Sequence, residues 1–404
     1  MASGGQLRRL SIAVLGVCTV AFAGIQLWGG PDAPAAARAE QPAPAAPIAT
    51  APAAPTATAP EAPTATAPAA PAATSPAAPT DDVVSSSPQV RPAGTITLAF
   101  AGDVNFEGRT ADRLAADPAT AFGAAAPGLA AADLTVVNLE TAIATGGAPE
   151  PKSFTFRAPP SALDALREAG VDVASMANNH AADYGAGGIA ESLAAIRSSA
   201  FPVIGFGIDL ADATAPHRAL VGGVPVTIFA ASQVPDRTRN VWTATADSPG
   251  IASAADPGLI EAVAAAAAAG ETVIVFLHWG TEFVSCPDLD QAALADALAA
   301  AGATAVIGTH AHVLQGAGWR DDGVYVAYGL SNYLWWRSFG NQQDDNGVLT
   351  LTVRDRRVLQ ADFAPAHLDD TGVPVPATGA QADRIMAQWD RVRECADLSA
   401  EPPR

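Results

Sequence analysis

Short apolar runs that stop at a polar side chain able to bind metal or move a proton recur along this chain, and they constrain its fold more than any other feature. Residues 95–101 (TITLAFA) run into Gly102 and Asp103, with Asn105 just beyond. Residues 134–137 run into Asn138, Leu139 and Glu140, and residues 171–176 into Asn178, Asn179 and His180. Residues 272–277 (TVIVFL) run into His278, and residues 303–307 into Gly308, Thr309, His310, Ala311 and His312. Apolar runs this short, bounded by polar residues, read as strands. Between them lie Ala-rich stretches at 161–169, 187–199, 259–269 and 291–301 that read as helices, three of them closed by Gly170, Gly270 and Gly302. Residues 112–132, interrupted by Pro118 and Pro127, supply one or two more helices. Further strands are expected at 201–204, 224–230, 324–328, 348–353 and 358–363, and a terminal helix at 382–395. Repeated strand–loop–helix units predict an α/β fold with a mostly parallel sheet and helices outside it. In such sheets ligands gather at the carboxyl ends of the strands.

Not all of the 404 residues belong to that fold. Residues 1–9 carry Arg8 and Arg9 and no acid, and residues 10–29 are uncharged and mostly apolar. That length suits a membrane-spanning signal anchor. The arginines in front of it predict a cytoplasmic N-terminus and an extracytoplasmic remainder. Ala37-Arg38-Ala39 fits a signal-peptidase site, so secretion after cleavage near Ala39 is the competing reading. Residues 30–94 are almost entirely Ala, Pro, Thr and Ser and predict a disordered, semi-stiff linker. Residues 95–370 are left as the main domain, with 371–404 as a C-terminal helix and tail.

The formal net charge of −19 argues against nucleic acid as a partner, because binding there rests on cations facing phosphates. The single lysine, Lys152, lies outside any G-x-x-x-x-G-K-[ST] phosphate loop. In the exported part Cys286 and Cys395 either form a disulfide tying the terminal helix to the loop after His278, or remain two separate thiols.

Singly, each polar strand end is ordinary. Asp103 could be a turn residue, Asn179 and His180 part of a polar turn, and His278 a hydrogen-bonded core histidine. Together they are not: four of the six histidines fall at these strand ends, while His217 and His367 read as surface loop residues. Asp, Glu, Asn and His without cysteine suit Mn, Fe or Zn in a reactive site better than a structural zinc.

The blocks AGDVNFEGR, VVNLET, KSFTFRAPP, MANNHAADYG, FLHWGTEF, IGTHAHVLQG and YGLSNYLW occur in that order between residues 95 and 367. Through them the chain resembles the CapA family of poly-γ-glutamate capsule proteins, a branch of the calcineurin-like metallophosphoesterases. The resemblance implies a β-sandwich flanked by helices and two divalent transition-metal ions at the sheet edge. Carried over by residue, Asp103 and His312 hold the first ion, Glu140 bridges, and Asn179, His278 and His310 hold the second. His180 is the implied proton donor. Asn105 stands where the wider superfamily has a histidine ligand, Glu140 where the bridge is usually aspartate, and Ala311 where the family usually has proline. Lys152 and Arg157, in KSFTFRAPP, are candidates for gripping a substrate carboxylate; Arg157 could equally pin its own loop.

The resemblance implies a membrane-anchored protein of poly-γ-glutamate synthesis or export, partnered by the polymer and by membrane ligase or export subunits. The alternatives are a secreted metal-dependent hydrolase of envelope phosphoesters or γ-glutamyl amides, and a non-catalytic polymer-binding module.

Overall fold

The computed structural model describes residues 91–404, so the expected anchor at 10–29 and nearly all of the expected linker lie outside the described residues. Among the described residues no helix is long and apolar enough to cross a membrane.

The strand Ile96–Val104 shows how the sequence builds the layers. Side chains alternate across a strand. Ile96, Leu98 and Phe100 enter one apolar cluster, and Ala99, Ala101 and Val104 enter another. The second long apolar strand, Thr272–His278, divides the same way. Ile274 and Phe276 meet the first group, while Val273, Val275 and Leu277 pack with Leu259, Val263 and Leu298 of the helices Gly258–Ala268 and Leu289–Ala300. Phe100 and Phe276 stack across the middle with ring centroids 6.4 Å apart. Two sheets therefore lie face to face with helices on both outer faces. Both faces of the central strands are buried, which is why these strands read as continuous apolar runs. Each fully buried Phe, Leu or Ile contributes about 1.5–3 kcal/mol.

The first sheet runs in the order Pro374–Pro376, Arg357–Leu368, Asp345–Arg354, Ile96–Val104, Leu134–Leu139, Val173–Ser175, Val203–Ile204, with Asn332–Leu334 also paired to Ile96–Val104. The second runs Ala317–Trp319, Tyr325–Ala327, Ala305–Thr309, Thr272–His278, Val224–Ser232, His217–Val221. Both are mixed, so the mostly parallel sheet expected from the repeating units is corrected. The strand–helix–strand units make parallel pairs such as Ile96–Val104 with Leu134–Leu139 and Thr272–His278 with Ala305–Thr309. Hairpins then add antiparallel edges, Asp345–Arg354 with Arg357–Leu368 and His217–Val221 with Val224–Ser232.

The terminal helix Gly379–Glu394 inserts Ile385 and Trp389 into the cluster between the sheets. Trp389 stacks on Phe363 at 4.0 Å. Cys395, at the end of that helix, is disulfide-bonded to Cys286. The two histidines read as loop residues both lie on strands. His217 opens His217–Val221. His367 bonds through Nδ1 to buried Asp345 at 2.8 Å, beside the Arg384 fork on the same carboxylate. Strand pairing, invisible in the local sequence, accounts for both.

Candidate metal centre

The polar strand ends converge. Asp103 and Asn138 lie inside their strands one residue short of the end, His278 ends its strand, and Glu140 and His310 come directly after theirs. The first strand reaches the site through an irregular register between Phe100 and Asp103. Gly102 makes this possible: a Cβ there would stand 1.9 Å from the Ser331 carbonyl oxygen. What approaches at this glycine is the 330–331 backbone.

Glu140 belongs to two potential metal-holding trios, one with His278 and His310 and one with Asp103 and His312, in each of which the ligand atoms lie within 4.8 Å of one another. Both Glu140 carboxylate oxygens are buried and have no hydrogen-bond donor, and Nδ1 of His310 is likewise without a partner. A buried carboxylate with nothing to neutralise it is costly. These residues therefore fit divalent cations, with Glu140 shared. Glu282, an exposed residue of the loop after His278, completes a third trio with His310 and His312.

Burial drives the electrostatics. It pushes Glu140 well above the usual carboxylate range, reinforced by the charges of Asp103 and Glu282. It lowers His278 to about 3 and His310 well below the ordinary histidine value, so both offer neutral lone pairs. Burial also opposes ionisation of Asp103 and His312, but their mutual hydrogen bond and attraction outweigh it, lowering Asp103 and raising His312.

Neighbours fix the ring orientations. His278 Nδ1 lies 3.0 Å from Thr309 Oγ1, which itself donates to the Leu277 carbonyl. This leaves His278 Nε2 toward Asn179 Oδ1 at 2.9 Å and Glu140 at 3.5 Å. Asn332 Oδ1 meets His312 Nδ1 at 2.8 Å. Asn138 donates to Asp103 at 2.7 Å and accepts from Asn178 at 2.9 Å. His310 and His312 both adopt positive φ, 93° and 54°, conformations that cost non-glycine residues about 1–3 kcal/mol each. The chain accepts that strain where two imidazoles must leave one short loop in different directions.

His180 sits beside this cluster, with Nε2 3.9 Å from Glu140. Its Nδ1 bonds Asp183 at 2.5 Å. Burial lowers its affinity for a proton, and Asp183 partly restores it. Asp183 is in turn held by Lys152 Nζ at 2.7 Å and the Phe156 amide at 2.8 Å. Lys152 also donates to the Asn179 carbonyl. Its ammonium thus braces the His180 partner. Arg157 donates to the Thr145 carbonyl at 3.2 Å and lies over the Tyr184 ring at 4.6 Å. Neither Lys152 nor Arg157 lines the cleft over His180 and His312. Asn105, though buried, turns its carboxamide to the Glu140 carbonyl and the Glu107 amide.

Sequence reasoning passed over Asp183, Glu282, Asn332 and Thr309. Asp183 carried a usable signal, standing three residues after His180, and Glu282 stands four after His278. Asn332 and Thr309 carried none, because only tertiary folding brings them to the imidazoles.

Residues 97–335 match the family model described as "Bacterial capsule synthesis protein PGA_cap". The chain belongs to that family. Every candidate ligand named above falls inside the matched span. Among curated proteins, the chain is similar to the capsule biosynthesis protein CapA of Bacillus anthracis, 28% identical over 242 residues that make up 59% of this chain and 57% of that protein. It is also similar to the PGA biosynthesis protein CapA of Bacillus subtilis, 27% identical over 214 residues, 50% of this chain and 55% of that protein. The match thus spans little more than half the length of these relatives. Among solved structures, a phosphatase from Mycoplasma pneumoniae aligns at 15% identity and a TM-score of 0.42, covering 68% of this chain and 95% of that one. At that distance the likeness bears on neither activity nor ligands.

Proposed function

We propose that this PGA_cap family member is a membrane-anchored, extracytoplasmic protein of poly-γ-glutamate capsule synthesis or export, and that its buried cluster holds two divalent transition-metal ions with which it handles or hydrolyses the polymer. The observation that carries the reading is Glu140: two buried, donor-less carboxylate oxygens shared by two histidine-containing trios. On this reading residues 10–29 anchor the chain, the Ala/Pro-rich tract spaces the folded part from the membrane, and polymer ligase or export subunits are its membrane partners.

Divalent cations bound there would supply Lewis-acid polarisation of a carbonyl or phosphoryl oxygen. The chain's own residues do the rest. Asp103, Glu140, His278, His310 and His312 would hold the ions, with Asn179 offering its side-chain oxygen. His180 presents Nε2 toward the same space while its Nδ1–H is held by Asp183, whose charge favours the imidazolium against burial; in that form Nε2 would carry the proton a leaving amine or alkoxide needs.

Elemental analysis of residues 95–404 from metal-supplemented medium tests the site. Wild type should carry about two transition-metal ions per chain, the number a two-metal site requires, and His310→Ala clearly fewer. No metal in either protein would leave an assembly or polymer-binding role and remove the hydrolytic one. With metal present, γ-glutamyl polymers and simple phosphoesters offered side by side separate the capsule reading from a general phosphoesterase.

A further inference from the structure

The space over His180 and His312 is walled by aromatic rings. Phe154, Phe156, Phe283, Trp335, Trp336 and Phe339 line it together with Glu282 and Arg337. Phe154 and Phe283 are 54% and 53% exposed, a large fraction for a phenylalanine unless it meets a ligand. Arg337 is the cation of this cleft. Its guanidinium lies 4.3 Å from the Trp336 ring centroid and 4.4 Å from that of Phe339. Among the described residues it makes no ion pair and no side-chain hydrogen bond. A guanidinium lying over aromatic rings can still donate from its in-plane N–H edge. That edge is the part that grips a carboxylate with two parallel hydrogen bonds. The buried indole N–H of Trp335, whose ring stands 4.9 Å from His312, is also without an acceptor.

We infer that Arg337, held over the rings of Trp336 and Phe339, is the residue that takes a substrate carboxylate and sets it beside the metal-ligand cluster. The inference rests on the polymer reading above and narrows it to the anchor that meets the polymer's side carboxylates. It moves to Arg337 a role expected of Lys152 and Arg157, whose charged groups are engaged at Asp183 and at the Thr145 carbonyl. Arg337 lies just past the family-matched span of residues 97–335. With a formal net charge of −19, the molecule needs a local cation before any polyanion can approach.

The test is calorimetric binding to the metal-loaded protein of three probes: an oligo-γ-glutamate, the same oligomer with its side carboxylates amidated, and N-acetylglutamate. Wild type should prefer the charged oligomer to the amidated one by about tenfold or more, the scale of a charge-assisted pair. Arg337→Gln should erase that preference without changing bound metal, and Arg337→Lys should restore only part of it, since lysine lacks the fork. Arg337 is exposed, so neither change threatens the fold. If N-acetylglutamate binds and depends on Arg337 but the oligomer does not bind, the carboxylate anchor stands and the polymer reading falls. If no carboxylate probe binds wild type, or Arg337→Gln keeps the preference, the inference is overturned.

Discussion

At the scale of single residues, the chemistry is concentrated in side chains buried without partners. Glu140 is the extreme case, and it leads to a prediction about pH. In metal-free protein its carboxyl titrates well above the ordinary 4.5, chiefly because of burial. Between the unfolded value and the raised folded one, the native state binds more protons than the unfolded state. By linkage, the Glu140 contribution to stability therefore falls as pH rises from about 4.5 upward. Glu140→Gln removes the buried charge and should be more stable than wild type near pH 7 in chelator, with the difference shrinking toward pH 4. Adding divalent metal should reverse the order at pH 7. Thermal melts of both proteins with and without chelator would show this, and a difference independent of pH would reject it.

At the scale of elements, strands and helices were largely readable because each long one leaves an apolar mark, which in the central strands, buried on both faces, is a continuous run. The strand expected at 95–101 forms as Ile96–Val104, and the helix expected at 291–301 forms as Leu289–Ala300, started by a capping box between Asp288 and Gln291. Short elements such as Asn332–Leu334 and Ala317–Trp319 escaped, because three residues carry no period, and the pairing of Asn332–Leu334 is with the distant strand Ile96–Val104. The junction at Gly102 is the element-level weak point. Gly102→Ala would drive a methyl into the Ser331 carbonyl, where backbone on both sides prevents relief. It should cost about 3 kcal/mol, read as a lower urea midpoint at unchanged slope. It should also loosen metal binding, because Asp103 is the next residue.

At the scale of the whole molecule, the disulfide joins the loop beside the cleft to the C-terminal end of the terminal helix. Cys286 and Cys395 are 109 residues apart, and the bridge fastens the loop carrying Glu282 and Phe283 to the terminal helix. Gln315 supports the same loop by donating to the Val284 carbonyl at 2.8 Å. The double variant Cys286→Ser, Cys395→Ser should lose about 2–5 kcal/mol of stability while keeping its fold, since both sheets and their shared core are untouched; a calorimetric melt that does not move would contradict this. By itself the sequence determined the strand ends, the residue types gathered there and the family, because buried strands and metal ligands each leave a local mark. Only the tertiary structure decided that Glu140 sits in both trios, that Asn332 and Thr309 orient the imidazoles, that Lys152 serves Asp183, and that Arg337 faces the cleft. Those relations join residues far apart in the chain, and their physical cause, two sheets packed face to face over a common edge, has no counterpart in any short stretch of sequence.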